Sequence, residues 1–349
     1  MPGAKGTITG LLALLLTACQ GTAPTPAPDQ PAEPLLLESQ TFTSLRTASC
    51  PDPAAFITPQ ANPLTITPVQ PETLKGATLD GLRFAGGWHL ASSEPNFGGL
   101  SGLSIHPKDH LVTVSDAGAF VWISMANGAP SGISAISYML DETGTPLEGK
   151  RDADAEGLEM VEGMALVSFE RNHRILAFDL ANCGAAAKGI QLATIPRQPD
   201  GLPRAIPDNE GAEALVLASG KTLKAGLELK ASLGAPILDI THGETALTGY
   251  LPRPSDKRLV GLDELGDTIF VLYRSYSPLS GNANDIHAHD PGNPDPKILA
   301  TLKRPFPVDN FEGITATELP DGTVRLYIIS DDNFSDRQRT LLLAFDIVQ

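Results

Sequence analysis

Three short motifs place an aspartate before a Glu-Gly pair: DAEG at 154–157, DNEG at 208–211 and DNFEG at 309–313. Their glutamates are Glu156, Glu210 and Glu312. Carboxylate oxygens are the ligands that a hard cation such as Ca²⁺ collects, six to eight at a time. Three interpretations stay open here: a metal site, a group of acids neutralised by arginines, or carboxylates that hydrogen-bond the backbone of their own repeat.

Each motif belongs to a longer repeat, in which two alternating apolar runs flank a turn signal such as Pro-Asp-Gly. Alternation with a period of two on both sides of a turn predicts a β-hairpin. The leading glycine of the repeat recurs every 50 to 55 residues, at Gly102, Gly157, Gly211, Gly261 and Gly313. A hairpin-containing unit of this length predicts one blade of a β-propeller.

The chain outside these five glycines sets the expected number of blades. The five glycines define four intervals, and the rest of the chain is long enough for about two more, which predicts six blades. Strands from both termini, TLLLAFDI at 340–347 and PLTITPV at 63–69, are expected to close the ring. No clear sixth hairpin is visible between residues 35 and 75, so five blades is the alternative. The predicted fold class is all-β, with residues 35–349 as a single propeller domain.

The repeat also predicts which side chains meet. In a hairpin, the start of the first strand and the end of the second lie at the same edge. Glu170 should therefore lie near Glu156, and Asp331 and Asp332 near Glu312. Because equivalent positions of different blades converge on the central channel, the three motif glutamates should meet at one mouth of that channel.

Crowded carboxylates raise one another's pKa unless a positive group lies among them. The candidate Ca²⁺ ligands are Glu156, Glu210, Glu312 and Asp332. Glu170 and Asp331 are candidates for a catalytic general base, and Arg171 and Arg274 for binding an anionic oxygen of a substrate. The sequence thus predicts an acidic channel mouth in which different residues bind the metal, transfer protons and bind the substrate.

Two other groups point less clearly to chemistry. GGLSG places Ser101 in part of a nucleophile elbow, but Leu103 stands where that motif needs a second glycine. Ser101 also occupies the place of the motif glutamates, which favours a ligand or capping role. His287, His289 and Asp290 match a metallohydrolase pattern, yet their Gly-, Pro- and Asn-rich surroundings favour an exposed loop.

The net charge of −16 argues against nucleic-acid partners, which require basic surface. A small-molecule ester or anionic substrate is the expected partner. Membrane contact is expected only through a lipid anchor.

The N-terminal residues have the pattern of a targeting signal rather than of a part of the folded domain. Residues 1–18 contain a lysine, a short apolar run and small residues before Cys19, as a signal peptide does. LTAC resembles the lipobox of bacterial lipoproteins, which implies lipidation of Cys19. Gln20 then implies the outer membrane, with the protein facing the periplasm. Residues 19–34 form a Pro-rich tether. An ordinary cleaved signal peptide is the alternative.

Two cysteines remain, Cys50 and Cys183. In an oxidising compartment, an even pair favours a single disulfide. Two unrelated buried thiols are the alternative, because sequence alone does not give the distance between them.

Four ordered segments resemble the phytase-like domain family, also called esterase-like activity of phytase, over about residues 76–347: FGGLSGLSIHPKDHLVTVSDAG, DAEGLEMVEGMALVSFERNHRILAFDL, DNEGAEALV and DNFEGITATELPDGTVRLYIISDDNFSDRQRTLLLAFDI. The resemblance implies a secreted or periplasmic β-propeller with an ester-hydrolysing activity. It assigns no catalytic residue, and the calcium-and-phosphate motifs of true propeller phytases are missing.

These observations together predict a lipid-anchored extracytoplasmic propeller that hydrolyses a phosphate or carboxylic ester with help from a metal. A non-catalytic propeller that binds a sugar, a peptide or a cell-envelope protein is the alternative.

Overall fold

The computed structural model describes residues 40–52, 55–71, 73–106, 110–219, 222–241, 243–290, 292–293 and 295–348. The expected signal peptide, Cys19 and the tether lie outside the described residues. Strands dominate the rest of the chain, as predicted. The N-terminal part contributes α1 (Gln40–Ser49), β1 (Gln60–Pro68), β2 (Ala77–Leu79) and β3 (Leu82–Ser92).

The following strands form consecutive antiparallel groups, which we call blades. The first blade contains β4 (Leu100–His106), β5 (His110–Ser115), β6 (Ala119–Ala126) and β7 (Ala129–Tyr138). After α2 (Gly149–Asp152), the second blade contains β8 (Ala155–Val161), β9 (Met164–Phe169), β10 (Arg174–Asp179) and β11 (Ile190–Thr194), with α3 (Leu180–Cys183) between the last two.

The other blades repeat this plan. The third contains β12 (Ala212–Ala218), β13 (Thr222–Leu227), β14 (Ala235–Thr241) and β15 (Glu244–Leu251). The fourth contains β16 (Arg258–Leu265), β17 (Thr268–Ser277), β18 (Gly281–His289) and β19 (Lys297–Lys303). The fifth contains β20 (Asn310–Glu318), β21 (Val324–Asp331) and β22 (Thr340–Ile347), completed by β3.

The first strands of the blades surround a common axis. β4 contacts β8, β8 contacts β12, β12 contacts β16, β16 contacts β20, and β20 returns to β4. A closed ring of antiparallel sheets packed face to face through their inner strands is a β-propeller. The predicted hairpins at 101–106 with 111–115 and at 157–161 with 164–169 are present in neighbouring blades.

The described residues form five blades, whereas the sequence interval predicted six. The N-terminal segment was counted as a repeat of its own, but it extends blades that already exist. β1 lies between β3 and β7 and thereby joins the fifth and first blades into one nine-stranded sheet, and β2 pairs with the edge strand β19.

Strands from both ends of the domain close the ring, as predicted. β22 pairs with β3, from Thr340 opposite Leu90 to Ile347 opposite Leu82. PLTITPV, expected as the N-terminal closing strand, lies in β1 instead and pairs on the outer side of β3. The apolar core fills the layers between neighbouring blades.

Glycines at the axis permit the close approach of inner strands. A Cβ atom on Gly313 would lie 2.8 Å from the Cβ of Leu103, and one on Gly102 would lie 2.7 Å from the carbonyl oxygen of Glu156. Gly102 also has a φ of +52°, which favours glycine. The repeated glycines therefore serve blade packing.

Cys50 and Cys183 are joined by a disulfide, with Cα atoms 5.6 Å apart. It links the end of α1 to the end of α3 on the second blade, where Phe42 and Leu45 of α1 are buried in the core. Among the described residues, no helix is long and apolar enough to cross a membrane.

Candidate functional site

Glutamates reach the channel from β-bulges in the inner strands. Strand pairing shifts register at Glu156 in β8, at Glu213 in β12 and at Glu312 in β20. A bulge inserts an unpaired residue and redirects its side chain. The charges of Glu156 and Glu312 both act on Glu213, so the three carboxylates converge as a propeller requires.

Glu213 replaces Glu210 in this set, and sequence reasoning missed it. The Asp-x-Glu-Gly match drew attention to Glu210, which lies before β12 begins. Aligning the alternating apolar residues instead, AEALVLA with FEGITAT, would have placed Glu213 opposite Glu312. The strand pattern was the better guide because it marks position relative to the axis.

A second ring of charges follows the second strand of each blade. Asp116, Glu170 and Glu228 come directly after β5, β9 and β13, while Asp331 ends β21. In the fourth blade, whose second strand is longer, the corresponding residue is Arg274, which lies within β17. The expected second set of acids therefore exists, with one arginine among its members.

Within the part of the chain that the structure describes, Asp154, Glu156 and Glu170 form a close acidic group, which we call the carboxylate trio. One oxygen from each lies within 4.8 Å of the others. Asp154 already has cationic partners: Lys150 Nζ at 3.0 Å and Arg171 Nε at 2.7 Å. Arg171, expected to bind an anionic substrate, thus donates to Asp154.

Burial makes the other members of the trio costly to ionise. It is the largest cause that raises the pKa of Glu156 well above its usual value, followed by the charges of Glu312 and Glu170. Burial likewise raises the pKa of Glu170 to about 7, with Asp154 as the next cause. Glu213 has a strongly raised pKa for the same reason, and its Oε1 has no hydrogen-bond partner among the described residues.

The trio fits a Ca²⁺ ion. Calcium takes carboxylate oxygens at 2.3–2.6 Å, so two oxygens on one ion lie at most about 5 Å apart. The observed 4.8 Å meets this limit. Lys150 and Arg171, which pair with the two oxygens of Asp154, would have to share that carboxylate with the ion. Unpartnered Oε1 of Glu213 offers a further oxygen.

The opposite side of the mouth is neutralised by arginines. Arg274 reaches Glu228 and Glu312, each at 3.1 Å from Nη2, and also donates to Asn310. Arg258 contacts both Glu228 at 3.1 Å and Glu210 at 2.9 Å.

Glu210 receives a second cation, because Arg204 lies 2.7 Å from its carboxylate. The structure thus places Glu210 and Glu312 in arginine pairs rather than in the carboxylate trio with Glu156.

Asp332 has a structural role in the observed fold. Its Oδ1 accepts hydrogen bonds from the backbone amides of Gly99 and Phe334, both at 3.0 Å. Its Oδ2 accepts one from Thr340 Oγ1 at 2.9 Å. Both oxygens are occupied in bonds that hold turns together, which explains this carboxylate without a metal.

Hydrogen bonds connect the two sides of the mouth. Ser101 Oγ donates to Glu312 Oε2 at 2.9 Å and also hydrogen-bonds Glu156. Asn310 Nδ2 donates to Glu312 Oε1 at 2.7 Å and to Asp331 Oδ2 at 3.2 Å. Burial, with the charge of Glu312 second, raises the pKa of Asp331 to about 8. Ser101 bridges carboxylates, in keeping with its place in the repeat.

A cleft of about 970 Å³ opens beside Glu312 and Asn310. Four arginines line it: Arg274, Arg304, Arg337 and Arg339. Arg339 pairs with Asp309 at 3.3 Å, whereas Arg304 and Arg337 are exposed. Arg304, Arg337 and Arg339 come from loops, which the fold brings together with Arg274 of β17.

The histidine motif lies on a strand rather than in the expected exposed loop. His287 and His289 belong to β18, and His287 is buried. Burial is the largest cause that lowers the pKa of both, that of His289 to about 4. The loop prediction followed the Gly-, Pro- and Asn-rich residues that surround the strand.

Residues 95–334 match the family model of phytase-like proteins, described as esterase-like activity of phytase. The match covers more than half of the chain, and the chain belongs to this family. No curated protein matches it significantly.

Three solved structures are similar in overall fold. One is a GH43 endo-arabinanase from Bacillus licheniformis, with 13% identity, a TM-score of 0.41 and coverage of 71% of this chain and 94% of that one. Another is CoXyl43, a GH43 β-xylosidase/α-arabinofuranosidase from a compost microbial metagenome. It has 11% identity and a TM-score of 0.43, and the match covers 77% of this chain and 94% of that one. The third is the β-propeller domain of Myceliophteria thermophila Cps50 (Swd1). It has 11% identity and a TM-score of 0.37, and the match covers 82% of this chain and 100% of that one. At this similarity they carry no functional argument.

Proposed function

We propose that the protein is a hydrolase of a phosphate or carboxylic ester, with its active site at the acidic mouth of the propeller. The observation that carries the proposal is the position of the arginine-lined cleft directly beside the buried carboxylate of Glu312 at the channel mouth. Membership of the phytase-like family supports ester hydrolysis as the reaction class.

The cleft provides for an anionic substrate. Arg304 and Arg337 are exposed there, and a guanidinium group binds phosphate or carboxylate oxygens through paired N–H donors. Arg274 lies deeper, where Glu228 and Glu312 hold it in place. A substrate anion held by the outer arginines would have its ester group directed towards Arg274 and the mouth.

A cation at the carboxylate trio completes the proposal. Asp154, Glu156 and Glu170 would hold Ca²⁺, with Glu213 beside them. When bound, a divalent cation polarises an ester oxygen and lowers the pKa of water.

Asp331 is the candidate for proton transfer at the mouth. With a pKa of about 8 it is mostly protonated at neutral pH, and it can donate that proton to a leaving oxygen. Asn310 orients it through the 3.2 Å hydrogen bond. Glu170, also considered as a general base, has a pKa of about 7 without a cation and serves as a ligand when one is bound.

The proposal is tested by turnover of p-nitrophenyl phosphate and p-nitrophenyl acetate with purified protein, with and without EDTA and added Ca²⁺. We expect hydrolysis of at least one ester, loss of rate with EDTA and recovery with Ca²⁺. Glu156→Gln should lower kcat at least a hundredfold. Glu210→Gln is the matched control, since its carboxylate is held by arginines, and it should retain activity.

Absence of turnover on both esters, with Ca²⁺ bound, would favour the non-catalytic alternative, a propeller that binds a sugar, a peptide or a cell-envelope protein. Turnover that EDTA does not change would support hydrolysis and remove the metal from the proposal.

We further propose that Cys19 is lipidated and anchors the protein to the outer membrane, facing the periplasm. The lipobox-like LTAC and Gln20 support this location. Cys19→Ser should move the protein from the membrane fraction to the soluble fraction of cells. Unchanged fractionation would contradict the anchor.

A further inference from the structure

Strand β18 is unusually rich in buried polar atoms that lack hydrogen-bond partners. Five of its residues carry such atoms: Asn282, Asn284, Asp285, His287 and His289. Alternate residues of a strand point to the same face, so Asp285, His287 and His289 share one face. Buried polar groups are normally satisfied, and an unsatisfied group costs about 1–3 kcal/mol. This face therefore needs an explanation.

His287 is the least satisfied member of the group. Its side chain is 3% exposed, and neither Nδ1 nor Nε2 has a hydrogen-bond partner among the described residues. Tyr273 fixes one side of the ring with an edge-on contact, 4.9 Å between ring centroids. The phenol itself donates to the carbonyl of Pro252 at 2.8 Å, so it leaves the imidazole nitrogens free.

His289 presents a second imidazole to the same space. Its ring is stacked on that of His287 with centroids 6.4 Å apart and 25° between planes, and its Nε2 is also unpartnered. At metal–nitrogen distances of 2.0–2.1 Å, two imidazoles on one tetrahedral ion have centroids about 5 Å apart. The observed 6.4 Å is roughly 1 Å longer, so binding of one ion requires the two rings to move closer together.

The charged neighbours of this face are compatible with a bound cation. Asp285 precedes the two histidines on the same face, and Lys257 lies 3.6 Å from its Oδ1 without a hydrogen bond. Asp285 thus contributes negative charge next to the imidazoles, and the buried ammonium group of Lys257 partly offsets it.

We propose that His287 and His289 form a binding site for a transition-metal ion of the Zn²⁺ class. Imidazole nitrogen prefers Zn²⁺, Ni²⁺ and Cu²⁺, whereas Ca²⁺ prefers oxygen. The site lies on the third strand of the fourth blade, and its ligands are different residues from the carboxylate trio. It is independent of the proposed hydrolysis.

The test measures Zn²⁺ and Ca²⁺ binding to purified wild-type protein by calorimetry, and follows the histidine side chains by ¹⁵N–¹H NMR. We expect Zn²⁺ to bind with micromolar affinity and to shift the imidazole nitrogens of His287 and His289. His289→Ala should weaken this Zn²⁺ binding at least tenfold. His287→Gln should do the same, which keeps the test valid if either variant folds poorly.

His89→Ala is the matched control, because His89 also lies on a strand but in β3. It should retain Zn²⁺ affinity, as should Glu156→Gln. Zn²⁺ affinity that is unchanged in His289→Ala and His287→Gln, or that is lost in Glu156→Gln instead, would overturn the proposal.

Discussion

The two sides of the channel mouth carry glutamates of the same sequence motif but differ in the charge of the groups around them. On one side, Glu312 and Glu210 are paired with Arg274, Arg258 and Arg204. On the other side, Glu156 faces further carboxylates and has a strongly raised pKa. The motif repeats a backbone position, and the neighbours of that position decide its chemistry.

The difference lies in which residue each blade contributes to the second ring of charges. The fourth blade has Arg274 at this position, and the second blade has Glu170. An arginine at the ring compensates the acids of its neighbours, whereas a glutamate adds to their repulsion. A repeated fold can therefore support an arginine-paired side and a cluster of buried carboxylates around one axis.

The largest effect is expected from Arg274→Met, which removes the compensating charge. Breaking a buried ion pair leaves an uncompensated charge, and the arginine side chain is 21% exposed, so we expect a loss of about 3 kcal/mol in unfolding free energy. Denaturant titration measures it. The freed Glu228 and Glu312 should then gain stabilisation from Ca²⁺, and an unchanged response to Ca²⁺ would contradict the comparison.

Glu156→Gln should change stability in the opposite direction and should lose the stabilisation by Ca²⁺. Without metal it removes a buried carboxyl group whose ionisation is unfavourable, and it should raise stability by about 1 kcal/mol. Ca²⁺ at a hundredfold excess over Kd should stabilise the wild type by about 2.7 kcal/mol but not this variant. Thermal melts with and without Ca²⁺ measure both effects. A variant that is less stable and still responds to Ca²⁺ would show that Glu156 is structural.

Asp331 should make stability depend on pH. Its folded pKa of about 8 is raised above an ordinary value near 4, so the native state binds a proton that the unfolded chain releases. Its contribution is present in full below about pH 4 and is lost as pH rises through 8, at up to about 1.4 kcal/mol per pH unit. Denaturation midpoints from pH 4 to 9 should be flatter in Asp331→Asn, and equal slopes would contradict the raised pKa.

The smallest effect is expected from Glu210→Gln. Its partners Arg204 and Arg258 are 45% and 31% exposed, and ion pairs open to solvent contribute about 0–1 kcal/mol. The change should lower stability by less than about 1 kcal/mol and leave the Ca²⁺ response intact. A large loss of Ca²⁺ affinity would return Glu210 to the metal site.

The sequence alone determined the blades, because period-two alternation around turns is a local property of each hairpin. It also determined that Glu170 would lie beside Glu156 and Asp331 beside Glu312, since both pairs lie within single hairpins. The ring of five was not readable from spacing, because β1 and β2 join existing sheets through pairings distant in the chain.

Only the tertiary structure decided which charges compensate one another. Arg274 meets Glu228 and Glu312 across two blade boundaries, and the charges that act on Glu213 come from other blades, those of Glu156 and Glu312. The arginine-lined cleft likewise combines loops more than thirty residues apart, such as those of Arg304 and Arg337. Electrostatic energy depends on distance in space, and a repeat written along the chain specifies only distance within each hairpin.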